Sequence, residues 1–173
     1  MVPLFPRRTI AWKVEEPAAF RRLTLSAAEI GLLTGVVLRL AHSLVMTRAA
    51  ASSLTWVVWW YILFALILFG AAAAHLGNYP VRHWGWRAPL FALYESAGEV
   101  VTSLVLIAAH RELWGSARAG FADWPSIAIS ILLWRMLTIC SFTLVLAGVV
   151  QLVRSILDRH DRQTEAAHPP ASA

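Results

Sequence analysis

The sequence predicts an all-α membrane protein, a four-helix transmembrane bundle with both termini in the cytoplasm. Three observations carry that expectation: long apolar runs, aromatic residues at their ends, and an uneven placement of arginine and lysine. Hydrophobic residues fill 58% of the 173 positions and charged residues 14%. With a mean hydropathy of +0.61, the chain is far from the balance of a water-soluble domain.

A helix needs about 20 apolar residues to cross a hydrocarbon core of about 30 Å. Residues 23–46, 54–74, 88–109 and 126–153 meet that requirement and define one membrane domain over residues 23–157. A β-barrel is excluded because its strands are shorter and alternate lipid-facing with lumen-facing residues, whereas these runs are continuous and rich in Leu and Ala.

Residues 1–22 contain Pro3, Pro6 and Pro17 among apolar and charged residues, and are expected to lie along the cytoplasmic surface. Arg7 and Arg8 resemble a twin-arginine start, but Lys13, Glu15 and Glu16 interrupt the apolar stretch a signal peptide requires. The first span carries Ala27, Gly31 and Gly35 at a spacing of four, a small-residue ridge for close helix packing. Its neighbour is either a helix of this chain or a separate subunit.

The second span opens with Trp56, Trp59, Trp60 and Tyr61, while Trp84 and Trp86 lie in the middle loop and Trp114 and Trp124 bracket the loop before span four. These residues form the aromatic belt expected at membrane interfaces, and Trp134 is the exception, inside the fourth span. Cys140, the single cysteine, falls in the same span and reads as a small buried residue, which leaves no disulfide or thiolate cluster within the chain. Residues 158–173 are polar, contain prolines and are expected to be disordered.

Orientation follows from the basic residues. Arg7, Arg8, Lys13, Arg21 and Arg22 precede span one, Arg82 and Arg87 lie between spans two and three, and Arg154, Arg159 and Arg162 follow span four. The other two loops hold only Arg48, Arg111 and Arg118. This bias predicts cytoplasmic termini, in a bacterial inner membrane, and accounts for the net charge of +5 through topology and anionic lipid rather than nucleic acid.

Ionisable residues inside spans mark functional sites by default. At 1.5 Å per residue, Glu29 and Glu95 lie about 10 Å from the cytoplasmic ends of their helices and Glu99 about 16 Å, while Arg135 is about 14 Å from the outer end of span four. Glu99 and Arg135 therefore match in depth, which predicts an ion pair; a proton path or substrate site is the alternative. Glu95 has no comparable partner. It lies one turn from Glu99, so a shared or switchable proton is expected, or else a neutral Glu95 bonded to Ser96, to a carbonyl or to Glu29 across the bundle. Projection at 100° per residue puts Glu95, Glu99, Thr102, Ser103, Leu106 and His110 on one stripe that should face the interior.

His42 and His110 fall near the outer ends of spans one and three, a placement compatible with axial ligation of haem b, with Arg39 or Arg111 neutralising propionates. The alternative is a pair of interfacial histidines, since no HxxxH or glycine-flanked haem signature accompanies them. Glu29 with His42 and Glu99 with His110 also hint at a duplicated hairpin. No ExxH motif falls within the four spans, and no HExxH, phosphate-loop or nucleophile-elbow motif is present, so no metal site or autonomous hydrolase is expected.

The segment Arg82 to Ser96, RHWGWRAPLFALYES, resembles the entry to a transmembrane helix in the haem-handling membrane subunit of system II cytochrome c biogenesis. Pro89, Leu90, Leu93, Tyr94, Glu95 and Ser96 carry the match, with Arg82 and Trp84 agreeing loosely. The family's histidine before the proline is replaced here by Arg87 or Ala88, and its tryptophan-rich haem-binding segment has no counterpart. What the resemblance implies is a haem-linked or respiratory-assembly context, without haem attachment.

The function expected from the sequence is a small accessory subunit of a larger membrane complex, related to respiration or electron transfer, with lipid and other membrane subunits as partners. The alternatives are a haem b or quinone-binding redox protein and a small proton-coupled transporter or channel. The last lacks the broken helices of a midplane substrate site.

Overall fold

The computed structural model describes residues 26–49, 54–114 and 117–167. It contains α1 (Ala27–Ala49), α2 (Leu54–Leu76), α3 (Trp84–Ala108) and α4 (Trp124–Ala167), each long and apolar enough to cross a membrane. A 3-10 turn, Val81–His83, leads into α3. Between α3 and α4 lie two short antiparallel strands, β1 (Leu113–Trp114) and β2 (Ala117–Arg118), with Leu113 opposite Arg118, and a second 3-10 turn, Phe121–Asp123. The expected surface segment 1–22 lies outside the described residues, as do residues 168–173 of the expected tail.

Helix α1 begins with a capping box. The Glu29 side chain accepts from the Ser26 backbone N–H at 2.6 Å, and the Ser26 hydroxyl accepts from the Glu29 N–H at 3.2 Å, satisfying two donors that a helix start leaves open. Glu29 is exposed at the rim. This corrects its placement in an intramembrane charge network: Ser26-Ala27-Ala28-Glu29 is a helix-start signature, and the helix begins at Ala27, so Glu29 lies in its first turn rather than well inside it.

Helix α3 starts one turn before the expected boundary. The reason is Trp84, whose indole N–H donates to the carbonyls of Leu76 (2.8 Å) and Tyr79 (3.0 Å), at the end of α2 and in the turn that follows it. Trp84 is buried rather than an interfacial anchor, unlike Trp56, Trp59, Trp86 and Trp124, which are exposed.

Helix α4 runs to Ala167, nine residues past the expected start of the disordered tail at Asp158. Polar composition suggested disorder, but the stretch contains no proline before Pro169 and is rich in Arg, Gln, Glu and Ala, so a helix already nucleated within the span has no reason to stop.

The packing is centred on α3. Its most extensive contact is with α1 and the next with α4; α2 packs mainly on α1 and touches α4 little. One core, including Leu68, Ala72, Leu76, Phe91, Ala92 and Ile139, fills the end of the bundle near the α2–α3 turn. A smaller one, Ile107, Ala119, Ile127 and Ile131, lies under the α3–α4 loop. Outward-facing Leu133, Leu137, Leu144 and Leu152 on α4 are exposed, as lipid-facing side chains are.

Candidate functional site: a charge cluster beside an open cavity

The glycine ridge belongs to the site. A Cβ on Gly35 would overlap the Glu95 carbonyl oxygen and come within 2.8 Å of the Glu99 nitrogen, and one on Gly31 would lie 2.7 Å from Tyr94 Cβ. On the opposing helix, a Cβ on Gly98 would lie 3.1 Å from the Leu32 carbonyl carbon. The neighbour of the ridge is therefore α3 of the same chain, and the close approach is reciprocal. Ala27 is half-buried at the start of the ridge. The sequence pattern does not single out Gly98, though it lies one residue before Glu99 on the same helix.

This contact fixes the backbone of the two acids. Glu95 is wholly buried and Glu99 is 2% exposed. Arg135 reaches across from α4: its Nε donates to Glu99 Oε1 at 2.6 Å, and its Nη2 pairs with the same oxygen. The pairing expected from depth is present. Arg135 Nε is also 3.2 Å from Glu95 Oε1, so Glu95 has a charged neighbour that depth along the sequence does not reveal. No donor reaches either Glu95 oxygen, because the Nε hydrogen is directed to Glu99. The two acids thus meet at one guanidinium nitrogen.

The rest of the α3 stripe is buried as expected through Thr102, Ser103 and Leu106. Thr102 donates to the Gly98 carbonyl at 2.8 Å, while the hydroxyls of Ser96 and Ser103 have no partner. The stripe does not extend to His110. Helix α3 ends at Ala108 in a Schellman arrangement, with the Arg111 N–H on the Leu106 carbonyl at 2.8 Å and the His110 N–H on that of Ile107 at 2.9 Å. His110 takes the left-handed position of this motif, φ 56°, and is exposed.

His42 is placed differently. With Arg39 it lines a cavity of about 680 Å3 bounded also by Leu38, Tyr61, Phe64, Ala65, Leu68, Phe69, Glu99, Ser130, Ile131, Trp134, Arg135 and Thr138. His110 is not among the lining residues, so the cavity does not join the two histidines considered as a ligand pair. The propionate-pairing candidates separate as well: Arg39 forms an ion pair with Glu112, while Arg111 is exposed in the loop, where its carbonyl accepts from the Ser43 hydroxyl at 3.3 Å.

The cavity lies between α2 and α4, which touch each other little. Phe69 and Phe142 stack at 4.5 Å and 19°, closing the seam on the side of the α2–α3 turn. Beyond them, Tyr61 and Trp134, 54% and 64% exposed, flank an opening that faces the surroundings of the bundle. Its walls are aromatic and aliphatic, and its polar end is formed by Arg135, Glu99, Arg39 and His42.

Glu112 emerges only from the structure. It is a loop residue, 2% exposed, with Oε1 on Arg39 and Oε2 without a partner. Burial pushes its carboxyl above the usual range, Arg39 pulls it back, and Glu99 adds to the upward push. The one legible signal was an acid just beyond span three, facing Arg39 near the same end of span one.

His75 and His83 flank the α2–α3 turn. His75 is buried and stacks on Phe91 at 5.6 Å and 20°. Among the described residues, no group of three or more His, Cys, Asp or Glu is arranged to hold a metal ion. No protein-family model matches this chain, and neither a curated protein nor a solved structure matches it.

Proposed function

We propose that this chain is a small subunit of a larger membrane complex, related to respiration or electron transfer, that receives the head of a lipid-soluble quinone in the cavity between α2 and α4. The observation that carries the reading is the cavity's make-up: aromatic walls from Tyr61, Phe64, Phe69 and Trp134, closed at one end by Arg135 and Glu99. Its volume of about 680 Å3 falls in the ordinary range for small-molecule sites, about 300–1,000 Å3.

The chemistry favours a neutral ring bearing carbonyl oxygens. Arg135, Ser130, Thr138 and Tyr61 offer donors, whereas Glu99 beside Arg135 would repel an anionic head. One guanidinium balances one carboxylate, so the charge count of Glu95, Glu99 and Arg135 closes with a single proton shared by the acids. Quinone reduction consumes protons together with electrons. The cluster would hold one of the two protons that full reduction takes up, water would supply the other, and a redox centre in a partner subunit would supply the two electrons.

The resemblance of Arg82 to Ser96 to a haem-handling membrane subunit, which includes Glu95, supports the respiratory setting. The arginine and lysine bias supports cytoplasmic termini in a bacterial inner membrane. A bis-histidine haem site is not favoured, since His110 lies exposed in the turn that ends α3.

The test is photolabelling in nanodiscs with a short-chain azidoquinone. Crosslinks are expected on α2 and α4 around Tyr61 and Trp134 and should be competed by unlabelled quinone. Labelling spread over the lipid-facing surface and indifferent to competitor would reject the quinone reading, and copurification of the untagged chain as a lone monomer from its native membrane would reject the subunit reading.

A further inference from the structure

We infer that the proton held by Glu95 and Glu99 is exchanged with the aqueous side that bears the α3–α4 loop, through the cavity and past Glu112, Arg39 and His42. The inference deepens the proposed function and rests on its proton-holding cluster, not on the identity of the ligand.

Three features support a route on this side. Glu112 is a buried acid at the loop surface with one oxygen unpartnered, and its ion-pair partner Arg39 lines the cavity with its own Nε unpartnered. His42 lies one turn along α1 from Arg39 and lines the same cavity. Glu99 forms part of the cavity wall and is felt electrostatically at Glu112. Polar and charged groups on the cavity wall thus extend from Arg39, the ion-pair partner of Glu112 in the loop, to Glu99 of the acid pair.

The opposite side is closed. Phe91, one turn before Glu95 on α3, is wholly buried, and Ala72, Leu76, Ala92 and Ile139 around it are equally inaccessible. His75, on that side, is stacked on Phe91. Beyond it, Arg87 is held between the rings of Tyr79 and Trp86, 3.9 Å from each.

The groups that face the route are therefore Arg39 and His42 from α1, Tyr61 from α2, Glu95 and Glu99 from α3, Arg135 from α4 and Glu112 from the loop. His110, Arg111 and Arg118 are exposed in the segment between α3 and α4. In net terms, a cluster carboxylate takes one proton from water on the loop side and becomes a carboxylic acid; release is the reverse.

Labelling with a hydrophobic carbodiimide in proteoliposomes of defined orientation tests this. The reagent adds across a protonated carboxyl, O–H to C=N, and the adduct rearranges to a stable N-acylurea with no leaving group, so peptide mass spectrometry reads the protonated fraction at Glu95 and Glu99. Labelling is expected to rise several-fold when the loop-side solution alone is acidified and to stay constant when the opposite solution is. Glu112→Gln should slow the response to a loop-side pH jump several-fold while leaving its end point unchanged. The double variant Arg39→Gln/Glu112→Gln, which leaves no unpaired charge, should do the same if the single variant folds poorly.

Labelling that follows the opposite side, or a wild-type response rate in both variants, overturns the route while leaving the proton-holding cluster intact. Absence of labelling at both acids at every pH removes the cluster's proton, and the route with it. A negative quinone crosslinking result touches neither.

Discussion

Arg135 on α4 donates to Glu99 on α3 across 2.6 Å and stands 3.2 Å from Glu95, which receives no hydrogen bond. The two acids are therefore unequal. Glu95→Gln keeps the Arg135–Glu99 pair and should cost about 1 kcal/mol or less. Glu99→Gln should cost about 1–2 kcal/mol, because Glu95 is close enough to take over as counter-ion. Arg135→Met leaves two buried acids without a cation and should cost about 3 kcal/mol or more. Thermal unfolding in detergent gives the order, and a Glu95→Gln loss equal to that of Arg135→Met would show that Glu95 is the true counter-ion.

The contact between α1 and α3 sets the spacing of this cluster. Gly35→Ala drives a methyl against the Glu95 carbonyl and within 2.8 Å of the Glu99 nitrogen, both of which are backbone and cannot swing aside. Overpacking of this kind costs about 1–3 kcal/mol. At Gly70 and Gly148 a methyl would meet nothing within 4 Å, so Gly70→Ala and Gly148→Ala should be neutral or stabilising by up to about 1 kcal/mol. Melting temperatures of the three variants check the contrast, and equal behaviour would mean that the helices are not so closely packed.

Span positions, the Glu99–Arg135 pair and the buried stripe of α3 were legible because each depends on spacing along one helix or on depth across a membrane, and both are linear in sequence. The partner of the glycine ridge and the Arg39–Glu112 pair depend on which helices adjoin, which spacing does not encode. Glu29 was misplaced because an acid near the start of an apolar run reads equally as an intramembrane charge and as a cap. The Ser-x-x-Glu spacing from Ser26 favours the cap, and the Ser26 hydrogen bonds establish it. The cavity was illegible because it lies where α2 and α4 make little contact, a property of packing rather than of any residue pattern.

His110 in a left-handed conformation, φ 56°, occupies the helix-end position that glycine fills without steric cost. His110→Gly should therefore stabilise the protein by up to about 1 kcal/mol, the penalty a side chain meets there. Quinone crosslinking should be unchanged. A loss of any bound chromophore on this substitution would instead restore His110 as a ligand.

The last prediction concerns pH. Burial raises the Glu112 carboxyl above its ordinary value of 4.5 against the opposing pull of Arg39, so the folded state binds this proton more tightly than the unfolded chain. An acid of this kind contributes stability that is fully present below its unfolded value and is lost as pH rises through its folded value. Wild-type stability should accordingly fall, relative to that of Arg39→Gln/Glu112→Gln, as pH increases from about 4 upward, and the difference should level off once Glu112 is ionised in both states. Unfolding measured for both proteins across that range checks the sign. A difference that grows in favour of the wild type with rising pH would mean that the ion pair with Arg39 outweighs burial.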